Sequence, residues 1–173
     1  MKQDIRNAML GTRRALDPET VSRHSQSVIR QIEALDCFKT ASVIGVYKAF
    51  GGEIDLSGLG HPDAVFVYPR VEGDIIRFVL PKDDNAFEKS AFGVMEPIGG
   101  IIMDDAIDLL LVPAVAISSS LDRIGYGKGF YDRFLKDHRP PCAIGVVHAF
   151  QKVDAFDVSK DDQKLDMVIT EEG

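Results

Sequence analysis

The chain has 173 residues, of which 45% are hydrophobic and 27% are charged, and its formal net charge is −7. This length favours one domain with a sizeable core, and a negative net charge without a basic stripe argues against a nucleic-acid partner. No apolar run approaches the roughly 18 residues of a membrane span, and the scattered N-terminal charges exclude a signal peptide, so we expect a cytoplasmic protein that binds no membrane.

The cysteines and histidines do not show the spacing of a metal site or of a disulfide framework. Cys37 and Cys142 are far apart and form no CxxC pair, so we interpret both as small buried apolar residues in a reducing compartment. The four histidines are scattered along the chain, at His24, His61, His138 and His148. We assign none of them a ligand role.

Two helices are predicted ahead of the first strand. Residues 2–16 place apolar side chains at near-helical spacing among basic ones. A second helix begins after Asp17, which can accept hydrogen bonds as the N-cap, and Pro18 suits the first helical position. Its apolar stripe runs from Val21 to Leu35.

Six short runs are predicted as strands, and a further helix lies between the fourth and the fifth. The strands are predicted at residues 42–47, 64–68, 75–80, 109–115, 142–147 and 167–170, and the helix at residues 130–137. Arg77 within the third run indicates an edge strand. Another element is expected to begin at Glu53, and residues 81–100 are the least regular stretch.

Strands separated by helices predict an α/β protein, a three-layer α/β/α single domain with a mainly parallel central sheet. Ligands of such sheets bind outside the carboxyl ends of the strands. The first strand ends at Tyr47, shortly before Glu53, and the strand at 109–115 ends before a glycine-rich segment. We therefore expect Glu53 and that segment in one cleft.

The glycine loop, residues 125–129, carries glycines at the alternate positions Gly125, Gly127 and Gly129. Such spacing leaves successive backbone N–H groups uncovered, and the positive end of the following helix adds to their field. Lys128 and Arg123 supply full charges. The spacing matches neither a P-loop nor a dinucleotide fingerprint, and a flexible turn is the alternative. The aromatic, cationic and acidic residues within ten positions favour a phosphate site.

The run RIGYGKGFYD, residues 123–132, resembles the signature of the 5-formyltetrahydrofolate cyclo-ligase family, also called 5,10-methenyltetrahydrofolate synthetase. Tyr47 followed by Glu53-Ile54 is similar to another pattern of that family, as are GVMEP at residues 93–97 and DLLLVP at residues 108–113. We interpret the last two as structural, a turn and a core strand. The resemblance extends over nearly the whole chain.

The resemblance implies an ATP site built from the first helix and the glycine loop. Its residues would be Lys2, Arg6, Arg123, Gly125, Gly127, Lys128, Gly129 and Tyr131. Lys2 and Arg6 have the spacing of the family's phosphate-binding pair, and residues four apart share a helix face. Arg123 and Lys128 would also take part in catalysis by neutralising charge, whereas Tyr131 equally fits a packing role.

The resemblance also implies a folate site and a Mg²⁺ site. Glu53 would accept hydrogen bonds from the pterin, and Tyr126 and Phe130 would offer flat surfaces to its rings. Mg²⁺ takes one or two protein carboxylates, and the family patterns point to Asp132 and Asp162. Because Asp161 stands where the family has His or Asn, Asp161 is an alternative to Asp162.

The activity implied by the resemblance is ATP-dependent cyclisation of 5-formyltetrahydrofolate to 5,10-methenyltetrahydrofolate, with release of ADP and phosphate. The partners would be small molecules, ATP with Mg²⁺ and a folate, and we expect a monomer. Two other functions stay open, because a fold does not determine a function. One is an ATP-using relative with a different small substrate, and the other is a non-catalytic phosphate-binding module.

Overall fold

The computed structural model describes residues 1–173. Its helices are α1 (Lys2–Arg14), α2 (Pro18–Glu33), α3 (Asp36–Lys39) and α4 (Phe130–Asp137). Its strands are β1 (Val43–Gly45), β2 (Val65–Glu72), β3 (Ile75–Leu80), β4 (Phe87–Lys89), β5 (Met95–Pro97), β6 (Ile101–Ile102), β7 (Leu109–Pro113), β8 (Ala116–Ser118), β9 (Arg123–Ile124), β10 (Cys142–Val146), β11 (Lys152–Val153) and β12 (Met167–Ile169). None of the helices has the length and apolarity needed to cross a membrane.

The central sheet has seven strands in the order β12-β10-β7-β1-β2-β3-β6. The first five of these run parallel, and the last two join by antiparallel pairing. The prediction of a mainly parallel sheet is therefore confirmed. Because β1 and β7 are parallel neighbours, the loops that follow them leave the same edge of the sheet.

The sheet is covered on both faces, and β7 lies at its buried centre. Side chains of a strand alternate between faces, so Leu109 and Leu111 pack with Ile32 of α2. Leu110 points the other way and packs with Phe134 of α4. Helices on opposite faces of one sheet give the three layers that the sequence predicts.

Helix α2 begins as the sequence indicates. The side chain of Asp17 accepts a hydrogen bond of 2.8 Å from the backbone N–H of Thr20, and Pro18 takes the first helical position. Helix α1 packs through Ile5 and Met9 against the hairpin of β8 and β9. This contact brings the first turn of α1 next to the glycine loop.

Up to β3, the structure differs from the secondary structure predicted from the sequence in three respects. Strand β3 is not the outermost strand, because β6 pairs with its last two residues, Val79 and Leu80; Arg77, which precedes this pairing, forms an ion pair of 2.9 Å with Asp104. No helix or strand begins at Glu53, where the chain turns with Ile54 buried. The third difference is α3, a short additional helix ahead of β1.

The structure also adds order to segments that carry little periodicity. Residues 81–100 contain the hairpin of β4 and β5.

Cys37 and Cys142 are free thiols, half-buried rather than buried, and their sulfur atoms lie 3.9 Å apart. Burial, together with the neighbouring Cys37, raises the pKa of Cys142 to about 11. The sequence distance between the two cysteines concealed this contact.

Candidate active site

A cavity of about 490 Å³ opens where the loops after β1 and β7 leave the sheet. All the site residues predicted from the sequence contribute to its lining: Lys2, Arg6, Glu53, Arg123, Gly125, Tyr126, Gly127, Lys128, Gly129, Phe130, Tyr131, Asp132 and Asp162. The prediction that Glu53 shares a cleft with the glycine loop is therefore confirmed. Asp161 is exposed and lies outside this lining.

The glycine loop presents free backbone donors to the cavity. The N–H groups of residues 126–129 donate to no other group of the chain, and the loop leads directly into the N-terminus of α4. Gly127 and Gly129 have φ angles of +98° and +71°, a conformation that side chains other than glycine disfavour. Free N–H groups at the positive end of a helix suit an anion.

Arg123 lies on β9, not in a loop, and its side chain is buried against the cavity. Its Nε donates a hydrogen bond of 2.9 Å to the carbonyl oxygen of Pro113. The guanidinium group also lies over the Tyr131 ring, 4.8 Å from its centroid. Burial lowers the pKa of Arg123, and the nearby Tyr131 and Asp132 partly offset this effect. The contacts hold a full positive charge in a fixed place.

Tyr131 packs between Arg123 and the core. Its ring meets Phe78 edge to face, with centroids 6.3 Å apart. Burial raises the pKa of Tyr131, which keeps its hydroxyl protonated. The packing role of Tyr131 is confirmed, and its assignment to ATP binding stays a prediction.

The first turn of α1 contacts the glycine loop and the C-terminal segment. Nε of Arg6 donates a hydrogen bond of 2.8 Å to the carbonyl oxygen of Gly125. Nζ of Lys2 forms an ion pair of 2.7 Å with Oδ2 of Asp162. Two segments at opposite ends of the sequence therefore meet at this cavity, and both carry charge into it.

Asp132 and Asp162 are linked through the C-terminal segment. Oδ1 of Asp132 accepts a hydrogen bond of 3.0 Å from the backbone N–H of Gln163. Oδ2 of Asp162 accepts from Lys2 and from the N–H of Ser159. Although burial alone would raise it, these two donors hold the pKa of Asp162 below its ordinary value. The other oxygen of each carboxylate accepts no hydrogen bond from the chain, and carboxylate oxygens are ligands that Mg²⁺ takes.

Glu53 is buried at 8% exposure in the lining of the cavity. Its Oε1 accepts a hydrogen bond of 2.8 Å from the N–H of Phe50, and its Oε2 accepts one of 3.2 Å from the Tyr126 hydroxyl. Burial raises the pKa of Glu53, and Arg13 and these donors offset part of the rise. A buried carboxylate of this kind suits a ligand that brings its own N–H donors.

Arg13, which the sequence analysis did not single out, contacts residues of the site without lining its cavity. It is only 2% exposed, its Nε donates a hydrogen bond of 2.9 Å to the carbonyl oxygen of Gly51, and its Nη2 donates to the hydroxyl of Tyr126. Arg13 thus connects the loop that carries Glu53 with the glycine loop. In the sequence it is one arginine of a pair on a basic helix, and nothing there distinguishes it from Arg14.

Aromatic rings form the remaining side of the cavity. Tyr126 is 43% exposed, and Phe50 and Phe92 are also exposed. Phe92 meets Phe130 edge to face, with centroids 6.2 Å apart, and Nζ of Lys128 lies 5.9 Å from the Phe92 centroid. Phe92 belongs to the irregular stretch before β5, where periodicity gave no signal. Exposed rings at a cavity offer stacking surface to a flat ligand.

A second cavity of about 600 Å³ lies on the other side of Gly51 and Gly52, between the end of α1 and the start of α2. Only Arg13 and the two glycines belong to the active-site network as well. None of the site residues predicted from the sequence lines this second cavity. The volume of a cavity therefore does not identify the candidate site. The convergence of charged side chains on the smaller cavity does.

Comparison with known proteins gives one consistent family. The sequence profile of the 5-formyltetrahydrofolate cyclo-ligase family matches residues 1–171. The 5-formyltetrahydrofolate cyclo-ligase of Mycoplasma pneumoniae is 28% identical over 181 residues, which cover 99% of each chain. That of Escherichia coli strain K12 is 26% identical over 171 residues, covering 91% of this chain and 93% of its own.

Solved structures agree with this family. The 5,10-methenyltetrahydrofolate synthetase of Aquifex aeolicus superposes with a TM-score of 0.87 at 30% identity, covering 99% of this chain and 90% of that one. The Mycoplasma pneumoniae 5,10-methenyltetrahydrofolate synthetase superposes with a TM-score of 0.78 at 25% identity, covering 98% of both chains. The chain therefore belongs to the 5-formyltetrahydrofolate cyclo-ligase family and is an enzyme of that family.

Proposed function

We propose that the protein converts 5-formyltetrahydrofolate and ATP to 5,10-methenyltetrahydrofolate, ADP and phosphate. The observation that carries the proposal is one cavity shared by a buried carboxylate, exposed aromatic rings and a cationic glycine loop. The carboxylate and the rings suit a reduced pterin, which has N–H donors and flat faces. The free N–H groups and cations suit a triphosphate.

The chemistry requires activation of the formyl group, since an amide-like carbonyl is a poor electrophile and its oxygen a poor leaving group. In the proposed reaction the formyl oxygen attacks the γ-phosphorus of ATP, and ADP leaves. The 10-nitrogen then attacks the carbon of the resulting imidate phosphate. The carbon–oxygen bond breaks, phosphate leaves and the 10-nitrogen releases its proton, which closes the methenyl ring.

This reaction needs no protein nucleophile, and the chain would contribute positioning and charge neutralisation. Lys128 and the glycine-loop N–H groups would hold the γ-phosphate, and Arg123 would stabilise the negative charge that develops there. Lys2 and Arg6 would hold the more distant phosphates. Each such donor is worth about 3–4 kcal/mol of transition-state stabilisation in comparable sites.

We propose Asp132 and Asp162 as the protein ligands of the Mg²⁺ ion that accompanies ATP. The ion would neutralise phosphate charge when bound. The support is the position of both carboxylates on the cavity and the low pKa of Asp162. Asp161, the alternative considered from the sequence, is exposed and outside the lining.

Glu53 would hold the pterin, and Tyr126 and Phe130 would contact its rings. Glu53 and the proposed phosphate-binding residues line one cavity, so a folate held by Glu53 would share that cavity with the γ-phosphate. The hydroxyl of Tyr126, which belongs to the glycine loop, donates a hydrogen bond to Glu53. Folate binding is therefore expected to be sensitive to the glycine loop as well.

The test is a spectrophotometric assay of the purified protein with 5-formyltetrahydrofolate, ATP and Mg²⁺, followed at the absorbance band of methenyltetrahydrofolate. We expect absorbance to rise only with ATP present, with one ADP formed per methenyl product. Lys128→Ala should lower kcat by about 100-fold or more. Lys136→Ala, on the exposed side of α4, is the matched control and should leave the rate unchanged.

The other outcomes point to the two alternative functions. A flat trace from folded protein, with ATP hydrolysis that another small substrate stimulates, would assign a different substrate to the same phosphate machinery. ATP binding without any turnover would assign a phosphate-binding module.

A further inference from the structure

Three potential metal ligands from distant parts of the chain meet outside the active-site cavity. His24 lies on α2, His148 follows β10, and Glu171 follows β12. One ligand atom from each lies within 4.8 Å of the other two. The two histidines are 124 positions apart, which is why their spacing in the sequence showed no metal pattern.

His148 is oriented by the backbone of the loop that carries Glu53. Its side chain is fully buried, and Nε2 lies 2.8 Å from the carbonyl oxygen of Gly52. A carbonyl oxygen can only accept, so the proton of the neutral ring is on Nε2 and Nδ1 presents a lone pair. Proteins orient metal-binding histidines in this way, with one ring N–H donated to a carbonyl and the other nitrogen left for the metal.

The lone pair of His148 faces the other two groups. Its Nδ1 lies 2.9 Å from Nδ1 of His24, and that atom lies 3.6 Å from Oε1 of Glu171. A single proton between the two nitrogens accounts for the first distance. The second distance is too long for a hydrogen bond. Hydrogen bonding therefore does not account for the position of Glu171 beside His24.

Glu171 is a partly buried carboxylate without a cationic side chain beside it. Both of its oxygens accept from the N–H of Ala149, at 3.0 and 2.9 Å. Its one ion-pair partner within 4.0 Å is His24, which is charged only when it is protonated. A divalent cation placed between the three side chains would supply the missing positive charge.

We propose that His24, His148 and Glu171 form a binding site for a transition-metal ion of the Zn²⁺ type. Imidazole nitrogens and one carboxylate are ligands that Zn²⁺ accepts, and three protein ligands leave a fourth position for water. A tetrahedral site with bonds of about 2.1 Å separates its ligand atoms by about 3.4 Å. The observed separations of 2.9 and 3.6 Å lie on either side of this value.

The ion would displace the proton shared by the two histidines and would tie α2 to the ends of β10 and β12. The side chains of His24 and Glu171 are 21% and 13% exposed, so the ion has a route from solvent. His148 bonded to the ion would still donate to the Gly52 carbonyl. The site would thus fix the backbone one residue before Glu53 without contacting folate or ATP.

The test uses Co²⁺ as a spectroscopic probe on the full chain freed of metal with a chelator. Tetrahedral Co²⁺ with histidine ligands absorbs visible light strongly, whereas Co²⁺ held by carboxylates and water alone absorbs weakly. We expect one equivalent of Co²⁺ to produce the strong bands and Zn²⁺ to abolish them. His24→Ala and Glu171→Gln should each weaken binding by about tenfold or more.

His61→Ala is the matched control, because His61 is a half-buried histidine that does not belong to the cluster. We choose His24 and Glu171 because His148 is fully buried, and circular dichroism would verify that both variants fold. Strong bands that persist unchanged in His24→Ala would overturn the proposal, as would the absence of strong bands in the wild type. Weak absorption alone would place Co²⁺ at carboxylates such as Asp132 and would also overturn it.

Discussion

The hydroxyl of Tyr126 lies 3.2 Å from Oε2 of Glu53, so the glycine loop is hydrogen-bonded to the buried carboxylate of the same cavity. Nη2 of Arg13 donates to the same hydroxyl. The glycine loop, the proposed phosphate site, and Glu53, the proposed folate contact, are therefore joined by one short network. A change in that network should alter folate binding without removing any group from the phosphate site.

Replacing Tyr126 with Phe removes the hydroxyl and keeps the ring. Glu53 then loses one of its two hydrogen-bond donors, and Arg13 loses an acceptor. A lost hydrogen bond of this kind costs about 1–1.5 kcal/mol, so we expect KM for 5-formyltetrahydrofolate to rise about 5- to 10-fold with little change in KM for ATP. Steady-state kinetics with each substrate varied in turn measure both values.

The control for that variant is Tyr68→Phe, since Tyr68 lies on β2 and outside the lining of the cavity. Equal folate KM values for the two variants would show that the Tyr126 hydroxyl has no part in organising Glu53.

Replacing Arg13 with Ala should destabilise the protein. The carbonyl oxygen of Gly51 and the hydroxyl of Tyr126 would both lose their donor inside the fold. We expect a loss of about 2–3 kcal/mol in the free energy of unfolding and a Tm lower by about 5–10 °C. Thermal unfolding followed by circular dichroism measures the shift.

Arg14→Ala is the matched control for Arg13→Ala, because Arg14 is its exposed neighbour on α1. Its effect on unfolding should stay within about 0.5 kcal/mol. If the two alanine variants unfolded at the same temperature, the buried contacts of Arg13 would not contribute to stability as proposed.

The pKa of Glu53 predicts a pH dependence of folate binding. Burial raises this pKa above the ordinary value of glutamate, and Arg13, the N–H of Phe50 and the Tyr126 hydroxyl offset only part of the rise. Because the carboxylate form would bind the pterin, KM for folate should fall as pH rises through the raised pKa. Glu53→Gln should have a higher KM for folate that does not fall with pH in this way. Measuring KM from about pH 4 to about pH 8 compares the variant with the wild type.

The same pKa shift predicts the sign of a stability difference. The folded protein holds the Glu53 proton at pH values where the unfolded chain has already released it, so unfolding releases a proton in that window. The contribution of Glu53 to stability is therefore lost as pH rises through its folded-state pKa. The Tm of Glu53→Gln relative to that of the wild type should therefore be higher above this pH than below the pKa that Glu53 has in the unfolded chain. If Tm plotted against pH ran parallel for the two proteins, the raised pKa of Glu53 would be contradicted.

The two aspartates assigned to Mg²⁺ can be tested against their exposed neighbour. Asp132→Ala should lower turnover at saturating Mg²⁺ by about 100-fold or more, the scale of losing one strong electrostatic contact to the transition state. Asp161→Ala should leave turnover unchanged, since Asp161 lies outside the cavity. A rate for Asp132→Ala within about twofold of the wild type would refute the metal assignment.

The elements that were predicted well depend on local order in the sequence. The N-cap at Asp17, the fully buried β7 and the bounds of α4 each follow from residues within one or two turns or along one strand. The glycine loop was recognised for the same reason, because its glycines, cations and aromatic residues are contiguous. These signals also carried the resemblance to the family and therefore the proposed chemistry.

The elements that were missed depend on where the strand order places distant residues. Arg77 indicated an edge strand, and the two-residue β6, which pairs with the end of β3, has too little periodicity to be seen. Arg13 resembles any other cation on a basic helix until the fold buries it between two loops. Cys37 and Cys142 are separated by 105 positions, yet their sulfur atoms are 3.9 Å apart.

The sequence by itself therefore determined helices α1, α2 and α4, the central strands and the glycine loop, because hydrophobic periodicity, caps and glycine spacing act over a few residues. Only the tertiary structure decided which side chains meet across the sheet, including Arg13 with Tyr126 and His24 with His148. The physical reason is that the order β12-β10-β7-β1-β2 follows from packing of all layers together, and no local pattern encodes it.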